Sequence, residues 1–205
     1  MSTAPVRVLL ADDETLVRDA LAALLSLQDD VEVVAQAASG PEALAMALRF
    51  RPDVAVLDLQ MPEPDGIAVA ERLATELPTC ACVVVTGHGR PGHLKRALSV
   101  GVRGFLPKTV PASVLADVLR TVHTGGRHVD PELAAEAISA GDSPLTPRES
   151  DVLELAATGA PVEEIARRAH LSPGTVRNHL SSAAQKLGVR TRHDAAAEAR
   201  RLGWI

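Results

Sequence analysis

The fold of this chain is decided by the stretch Val54-Ala55-Val56-Leu57-Asp58-Leu59-Gln60-Met61-Pro62-Glu63-Pro64-Asp65-Gly66. Its first four residues form an apolar run typical of a buried strand, and the run ends at the carboxylate of Asp58. Prolines and a glycine follow at once, which indicates a loop. In an open parallel sheet, this change marks the carboxyl end of a strand, where ligands and chemistry collect. We therefore expect Asp58 to lie in a functional site.

Further apolar runs of strand length alternate with segments of helical periodicity along the first 125 residues. Together they predict strands at 6–11, 31–37, 53–57, 81–85 and 102–106. Helices are predicted at 15–27, 40–50, 66–77, 91–100 and 111–124. Because each strand is followed by a helix, the pattern predicts an α/β domain: a five-stranded, doubly wound parallel sheet with helices on both faces.

From residue 145 onwards the sequence predicts helices and no strand. Thr146-Pro147-Arg148-Glu149 has the pattern of a capping box, which begins a helix ending near Thr158. Further helices are predicted at 162–169, 172–187 and 191–202, and two short helices joined by a turn form a helix-turn-helix. We therefore predict a first domain over 1–126, a linker with a short helix over 127–144, and an all-α domain of four helices over 145–205.

Charge changes along the chain in the same way. Residues 1–143 carry 12 Lys and Arg against 19 Asp and Glu, whereas residues 144–205 carry 9 against 7. Between Glu164 and Asp194 there are six cations and no acidic residue. A locally basic second domain indicates nucleic acid as its partner. Aromatic content of 1% excludes a platform for stacking single-stranded bases.

The ends of the predicted strands carry a set of polar residues, namely Asp12, Asp13, Asp58, Thr86 and Lys108. Clustered carboxylates repel one another unless a cation lies between them, and Mg2+ is favoured when a phosphate shares the site. A lysine and a hydroxyl complete the parts needed to transfer a phosphoryl group to a carboxylate. Glu63 or Asp65 alone is interpreted as an ordinary loop residue.

Residues 6–125 resemble the receiver domain of bacterial two-component response regulators, in both the order and the approximate spacing of these polar residues. The resemblance implies a CheY-like fold in which Asp58 accepts a phosphoryl group from a sensor histidine kinase. It also implies that Mg2+ is held by Asp12, Asp13, Asp58 and the backbone carbonyl of Gln60.

The same resemblance assigns a switch to the receiver. Thr86 would supply the switch hydroxyl, Lys108 would pair with the phosphate, and Phe105 occupies the position of the switch aromatic residue. Because Phe105 has no hydroxyl, we expect a switch that works by packing alone. Pro107 precedes Lys108, whereas many receivers place a proline after the lysine in a cis peptide, so that feature is not carried over.

Residues 145–205 resemble the LuxR-type helix-turn-helix of the NarL/FixJ subfamily, and the chain looks most similar to DesR-like regulators. The matching motifs are Leu145-Thr146-Pro147-Arg148-Glu149, Glu164-Ile165-Ala166, Leu171-Ser172, Gly174-Thr175-Val176-Arg177-Asn178-His179 and Lys186-Leu187-Gly188. The third helix would then enter the major groove of DNA. The predicted DNA-binding residues are Ser172, Thr175, Arg177, Asn178, His179, Ser181, Lys186 and Arg190.

Two of these types suit base edges: Arg177 can hold guanine and Asn178 can hold adenine. Lys186 and Arg190 suit phosphates, which position a protein without specifying sequence. His179 is either a backbone contact or merely exposed. The alanine-rich helix at 191–202 is either a dimer contact, as the family implies, or packed on its own domain.

The leading hypothesis is a transcription regulator whose homodimer formation and binding to repeated DNA half-sites depend on phosphorylation of Asp58. We expect it in the cytoplasm, because no apolar stretch is long enough for a membrane helix and residues 1–5 are too short for a signal peptide. We expect no enzymatic turnover apart from loss of its own phosphate. Cys80 and Cys82 are interpreted as buried small hydrophobes rather than a redox pair.

Two alternatives come from other classes of protein. One is an aspartyl-phosphate phosphatase similar to the haloacid dehalogenases, but these carry a second Asp two residues after the nucleophile, where this chain has Gln60. The other is a regulator that ignores phosphate and uses its first domain only to dimerise. The complete set of phosphorylation residues disfavours this second alternative.

Overall fold

The computed structural model describes residues 4–62, 64–87, 91–139, 143–202 and 204–205. The chain forms two compact units: the described residues of 4–87 and 95–131 form the first, and those of 91–94 and 132–205 form the second. Gly141 and Asp142 of the predicted linker lie outside the described residues, as does Glu63, and the limits of the predicted domains stay a prediction. None of the helices in the described ranges combines the length and hydropathy that crossing a membrane requires.

The strands of the first unit are β1 (Val6–Ala11), β2 (Val31–Ala37), β3 (Val54–Asp58), β4 (Ala81–Thr86), β5 (Gly104–Pro107) and β6 (His128–Val129). They form one parallel sheet in the order β2-β1-β3-β4-β5-β6. The α/β class and the parallel sheet are confirmed, but the predicted count of five strands is wrong. The sixth strand, β6, has two residues and pairs with β5, and so short a segment has no apolar period to detect.

The helices described around this sheet are α1 (Thr15–Leu25), α2 (Gly40–Phe50), α3 (Gly66–Glu76), α4 (Pro91–Ser99) and α5 (Ala112–His123). Ser39 caps α2, because its side chain accepts a hydrogen bond from the backbone of Glu42, and Pro41 occupies the first turn. The residues of β1, β3, β4 and β5 are almost all buried on both faces, as their near-continuous apolar runs predict, whereas Glu32 and Gln36 of the edge strand β2 are exposed. Cys80 and Cys82 are buried free thiols.

Alternate strand residues build the core that faces α1 and α5. This core contains Val8, Leu10, Val54, Val56, Val83, Val85, Leu106, Leu115 and Leu119. Because successive strand residues point to opposite faces, the intervening Leu9, Ala55 and Val84 are buried on the other side. The sheet is therefore packed on both faces, and its carboxyl edge is where the polar side chains of the strand ends are found.

The second unit contains α6 (Pro131–Ser139), α7 (Pro147–Ala157), α8 (Val162–Arg168), α9 (Pro173–Lys186) and α10 (Arg192–Arg201). The predicted capping box at Thr146 and Glu149 is confirmed. The turn between α8 and α9 uses a left-handed conformation at His170, with φ of 54°. Ser172 caps α9 by accepting a hydrogen bond from the Thr175 N–H at 3.1 Å.

The core of the second unit is built mainly from small side chains. Val152, Leu153, Ile165, Val176 and Leu180 are buried together with alanines of α9 and α10, and Trp204 and Ile205 pack against this core. The buried alanines of α10, namely Ala195, Ala196 and Ala199, pack on their own domain. That packing agrees with the simpler of the two readings offered for this helix.

Candidate functional site

Three carboxylates converge at the carboxyl edge of the sheet. Asp12 and Asp13 follow β1, and Asp58 is the last residue of β3. One oxygen atom from each of the three lies within 4.8 Å of the others. Asp12 and Asp58 are each 2% exposed, whereas Asp13 is exposed. The register explains the convergence, because Ala11 pairs with Leu57 and the next residue of each strand is an aspartate.

Lys108 brings a positive charge into this group. Its Nζ lies 2.8 Å from Asp12 Oδ2 and 3.1 Å from Asp58 Oδ2. A third carboxylate, Glu14, offers Oε1 at 3.2 Å. Burial lowers the pKa of Lys108, but its hydrogen bond to Asp12 and the charges of both aspartates outweigh burial and raise the pKa overall. Lys108 is therefore a permanent cation in the site.

Asp58 has an unusual environment for a carboxylate. Burial raises its pKa to about 6, since the effect of burial and the charge of Asp12 exceed the opposing effect of Lys108. Oδ1 of Asp58 is buried and accepts no hydrogen bond of good geometry from the described residues. A buried oxygen in this state is open to another ligand or to reaction. Three carboxylates with such an oxygen fit a hard divalent ion such as Mg2+.

Thr86 lies on β4, the strand next to that of Asp58, and Phe105 lies on β5, one strand further along the sheet. Val85 pairs with Asp58, so Thr86 stands at the same edge of the sheet, where it is fully buried. Phe105 is also fully buried, in β5, and pairs with Val84. Both residues are thus placed near one another by strand order, with the phenyl ring turned inward. Their roles in a switch stay a prediction.

The loop after Asp58 supplies structure as well as chemistry. Gln60 is exposed two residues after Asp58, and its carbonyl as a metal ligand stays a prediction. Asp65 caps α3, because Oδ1 accepts a hydrogen bond from the Ala68 N–H at 2.7 Å. Oδ2 of Asp65 lies 2.7 Å from a guanidinium nitrogen of Arg96 on α4. These contacts give Asp65 a structural role.

The predicted DNA-binding residues lie on α9 or next to its ends. Arg177 and Asn178 are exposed on the first half of the helix and Ser181 just past its middle, and the opposite face is buried through Val176 and Leu180. Thr175 and His179 are half-buried, while Ser172 and Arg190 are exposed. Arg177 makes one weak ion pair, 3.4 Å from Glu163 on α8. The exposed face of α9 is therefore polar, and the contact of these side chains with DNA stays a prediction.

Lys186 has a different environment from Arg190. Its Nζ donates to Oε2 of Glu149 at 2.7 Å, and Glu149 is only 4% exposed. Burial raises the pKa of Glu149, but hydrogen bonds from Lys186, Ser182 and Thr146 outweigh it and lower the pKa to about 2. The capping-box pattern in the sequence predicts the hydrogen bond between Glu149 and Thr146. No sequence pattern near Glu149 predicts its contacts with α9, because those partners are 33 and 37 residues away.

Comparison with known proteins covers nearly the whole chain. Residues 8–120 match the family model of the response regulator receiver domain, and residues 143–199 match that of bacterial regulatory proteins of the luxR family. The transcriptional regulatory protein DesR of Bacillus subtilis is 37% identical over 200 residues, which are 98% of this chain and 99% of DesR.

Two further proteins support the same assignment. The response regulator RamR of Streptomyces coelicolor is 41% identical over 202 residues, covering 97% of this chain and 98% of RamR. A solved complex of the two-component response regulator RcsB with DNA is similar in structure, with a TM-score of 0.61 and 26% identity. That match covers 95% of this chain and 98% of RcsB.

Proposed function

This chain belongs to the bacterial response regulators that join a receiver domain to a LuxR-type DNA-binding domain, and from that premise we propose that phosphorylation of Asp58 controls its binding to DNA. One observation carries the proposal. Oδ1 of Asp58 is buried and accepts no hydrogen bond of good geometry from the described residues, while Oδ2 lies 3.1 Å from the Lys108 ammonium and two further aspartates stand beside it. Such a carboxylate is suited to act as a nucleophile.

The phosphoryl donor in this proposal is a phosphohistidine of a sensor kinase. A carboxylate oxygen of Asp58 attacks the phosphorus, and the bond from phosphorus to the histidine nitrogen breaks. With a pKa of about 6, Asp58 is mainly ionised at neutral pH and is therefore a competent nucleophile. The Lys108 ammonium, which lies 2.8 Å from Asp12, then moves toward the new phosphoryl oxygens and pairs with them.

A bound Mg2+ would be held by Asp12, Asp13, Asp58 and the Gln60 carbonyl, and it would neutralise charge on the phosphoryl group. The donor set found here fits that ion. Thr86 donates its hydroxyl to the phosphoryl group, and the side chain of Phe105 repacks as Thr86 moves. Because Phe105 has no hydroxyl, the change is transmitted by packing alone.

The output is transcription regulation through α9. Arg177, Asn178 and Ser181 are the residues exposed for base edges, while Ser172, Thr175, His179 and Arg190 approach phosphates. Phosphorylation favours a homodimer whose two α9 helices meet repeated half-sites. The chain is then a cytoplasmic regulator rather than a turnover enzyme, and Gln60 stands where an aspartyl-phosphate phosphatase places its second aspartate.

The proposal is tested by labelling the full chain with acetyl phosphate and Mg2+ and measuring the phosphorylated fraction by intact mass. Asp58→Asn is expected to lose the label completely, because the amide cannot accept the phosphoryl group. Asp65→Asn is the matched control in the same loop and should keep wild-type labelling, since Asn caps a helix as well as Asp.

The same samples are then titrated with DNA. Labelled wild type is expected to gain affinity for a duplex that it enriches from a random library, and Asp58→Asn should show no gain. Wild-type labelling of Asp58→Asn would contradict the site. Equal DNA affinity of the labelled and unlabelled wild-type chain would contradict the switch and favour the regulator that ignores phosphate.

A further inference from the structure

A buried carboxylate connects α7 to α9 in the DNA-binding unit. Glu149 lies in the first turn of α7, and its Oε2 accepts hydrogen bonds from the Thr146 N–H and from Lys186 Nζ, both at 2.7 Å. Its Oε1 accepts a hydrogen bond from Ser182 Oγ at 2.6 Å. Both carboxylate oxygens are therefore occupied, and two of the three donors come from α9.

The two donors on α9 stand on one face of the helix. Ser182 and Lys186 are four residues apart, so their side chains lie one above the other and reach the same carboxylate. They occupy the second half of α9, whereas Arg177 and Asn178 lie in its first half and Ser181 lies just past its middle. An α-helix is rigid over this length, so a constraint on one half sets the direction of the other.

The buried face of α9 offers few large side chains to fix the orientation of the helix. Its buried face is made of Val176, Leu180, Ala183 and Ala184, which are small or flexible side chains. Hydrophobic contact is not directional, whereas hydrogen bonds to a fixed carboxylate are. The bonds to Glu149 are therefore the contacts best able to fix the rotation and tilt of α9.

We propose that Glu149, Ser182 and Lys186 form a positioning clamp that aligns α9 for sequence reading, and that Lys186 serves this clamp rather than a DNA phosphate. The inference rests on the proposed role of α9 in reading DNA. Moving the Lys186 ammonium to a phosphate would leave the buried charge of Glu149 with less compensation, which is costly inside a protein. Arg190 is exposed, as Lys186 is, but no described ion pair joins Arg190 to a buried carboxylate.

The test compares Lys186→Met, Glu149→Gln and the double variant in the full chain. The Gln side chain can still complete a capping box, so Glu149→Gln keeps the start of α7 while removing the charge. Affinity is measured for a duplex enriched by the wild-type chain and for a random-sequence duplex, over a series of KCl concentrations. Trp204 fluorescence verifies that each variant is folded at the temperature of measurement.

The clamp predicts that each single variant loses about tenfold in affinity for the enriched duplex, and that the double variant loses no more than the worse single variant. Affinity for the random duplex and the slope of log affinity against log salt should both stay at wild-type values. Lys186→Arg, which keeps a charged donor, should restore discrimination. A purely structural role would lower stability without changing discrimination by folded protein.

A direct phosphate contact predicts the opposite pattern. Lys186→Met would then lower the salt slope by about 1, and Glu149→Gln would raise affinity because it releases the lysine. Either result overturns the clamp. If Lys186→Met does not fold, Ser182→Ala carries the same test, and wild-type discrimination by that variant overturns the clamp.

The experiment also separates the clamp from the function on which it rests. If the wild-type chain enriches no sequence from the library, the proposed reading of DNA by α9 fails. If wild type enriches a sequence and the variants discriminate as it does, the clamp alone fails.

Discussion

Asp58 in the receiver and Glu149 in the DNA-binding unit invite comparison, because both are buried carboxylates beside a lysine. The lysine nitrogen lies 3.1 Å from Asp58 and 2.7 Å from Glu149. Their pKa values nevertheless move in opposite directions, to about 6 for Asp58 and about 2 for Glu149. Burial beside a lysine therefore does not decide how a carboxylate behaves.

The difference lies in the number of donors available to each carboxylate. Glu149 accepts hydrogen bonds from a backbone N–H, a hydroxyl and an ammonium, and its lysine is not shared with another carboxylate among the described ion pairs. Asp58 shares Lys108 with Asp12 and Glu14, and one of its oxygens lacks a good hydrogen bond. A satisfied carboxylate holds structure, whereas an unsatisfied one is available for a metal ion and for reaction.

The largest effect on stability is expected from Lys186→Met. The Lys186 side chain is 34% exposed, but its removal leaves the buried charge of Glu149 without its cation, so the DNA-binding domain should lose about 3 kcal/mol of unfolding free energy. Urea unfolding followed by Trp204 fluorescence measures this domain alone, because Trp204 is the only Trp in a chain without Tyr and packs on that core. Arg190→Met is the control, with a change within about 0.5 kcal/mol. If Lys186→Met and Arg190→Met changed the free energy of unfolding equally, Glu149 would not depend on its lysine, and the proposed difference between Glu149 and Asp58 would be contradicted.

An effect of similar size and opposite sign is expected from Asp58→Asn in buffer without Mg2+. The pKa of Asp58 is raised from 3.8 to about 6, so the folded receiver disfavours the ionised side chain and the amide should stabilise it by about 3 kcal/mol at pH 7. Calorimetry of the full chain measures the receiver transition, and Trp204 fluorescence identifies the other one. Added Mg2+ should reduce the difference in stability between Asp58→Asn and the wild-type chain, because the ion binds and stabilises the wild-type site. If Asp58→Asn destabilised the receiver without Mg2+, the Asp58 carboxylate would be stabilised by its neighbours as that of Glu149 is, which would contradict the prediction.

Much of the receiver site was predictable from the sequence, and the reason is geometric. The carboxyl ends of parallel strands meet at one edge, so polar residues after Ala11, Leu57 and Val85 had to come together once the strands were recognised. The sixth strand was missed because His128 and Val129 form it only by pairing with β5. Two residues carry too little pattern to predict a strand.

The second role of Glu149 was missed for a different reason. The capping box with Thr146 already accounts for a glutamate at position 149, so nothing in the local sequence predicts a further partner for its side chain. The decisive partners, Ser182 and Lys186, are 33 and 37 residues away. The same distant contact gives Lys186 a partner that its position at the end of α9 does not reveal.

The most direct test of the contrast between the two carboxylates is to titrate both side chains by NMR in the metal-free full chain. Asp58 should titrate near 6 and Glu149 near 2. Stability from Asp58 is then present below its ordinary pKa of 3.8 and lost as pH rises through about 6. Stability from Glu149 is present above its ordinary pKa of 4.5 and lost as pH falls through about 2. Two ordinary pKa values, or a pKa of Glu149 above that of Asp58, would contradict the account.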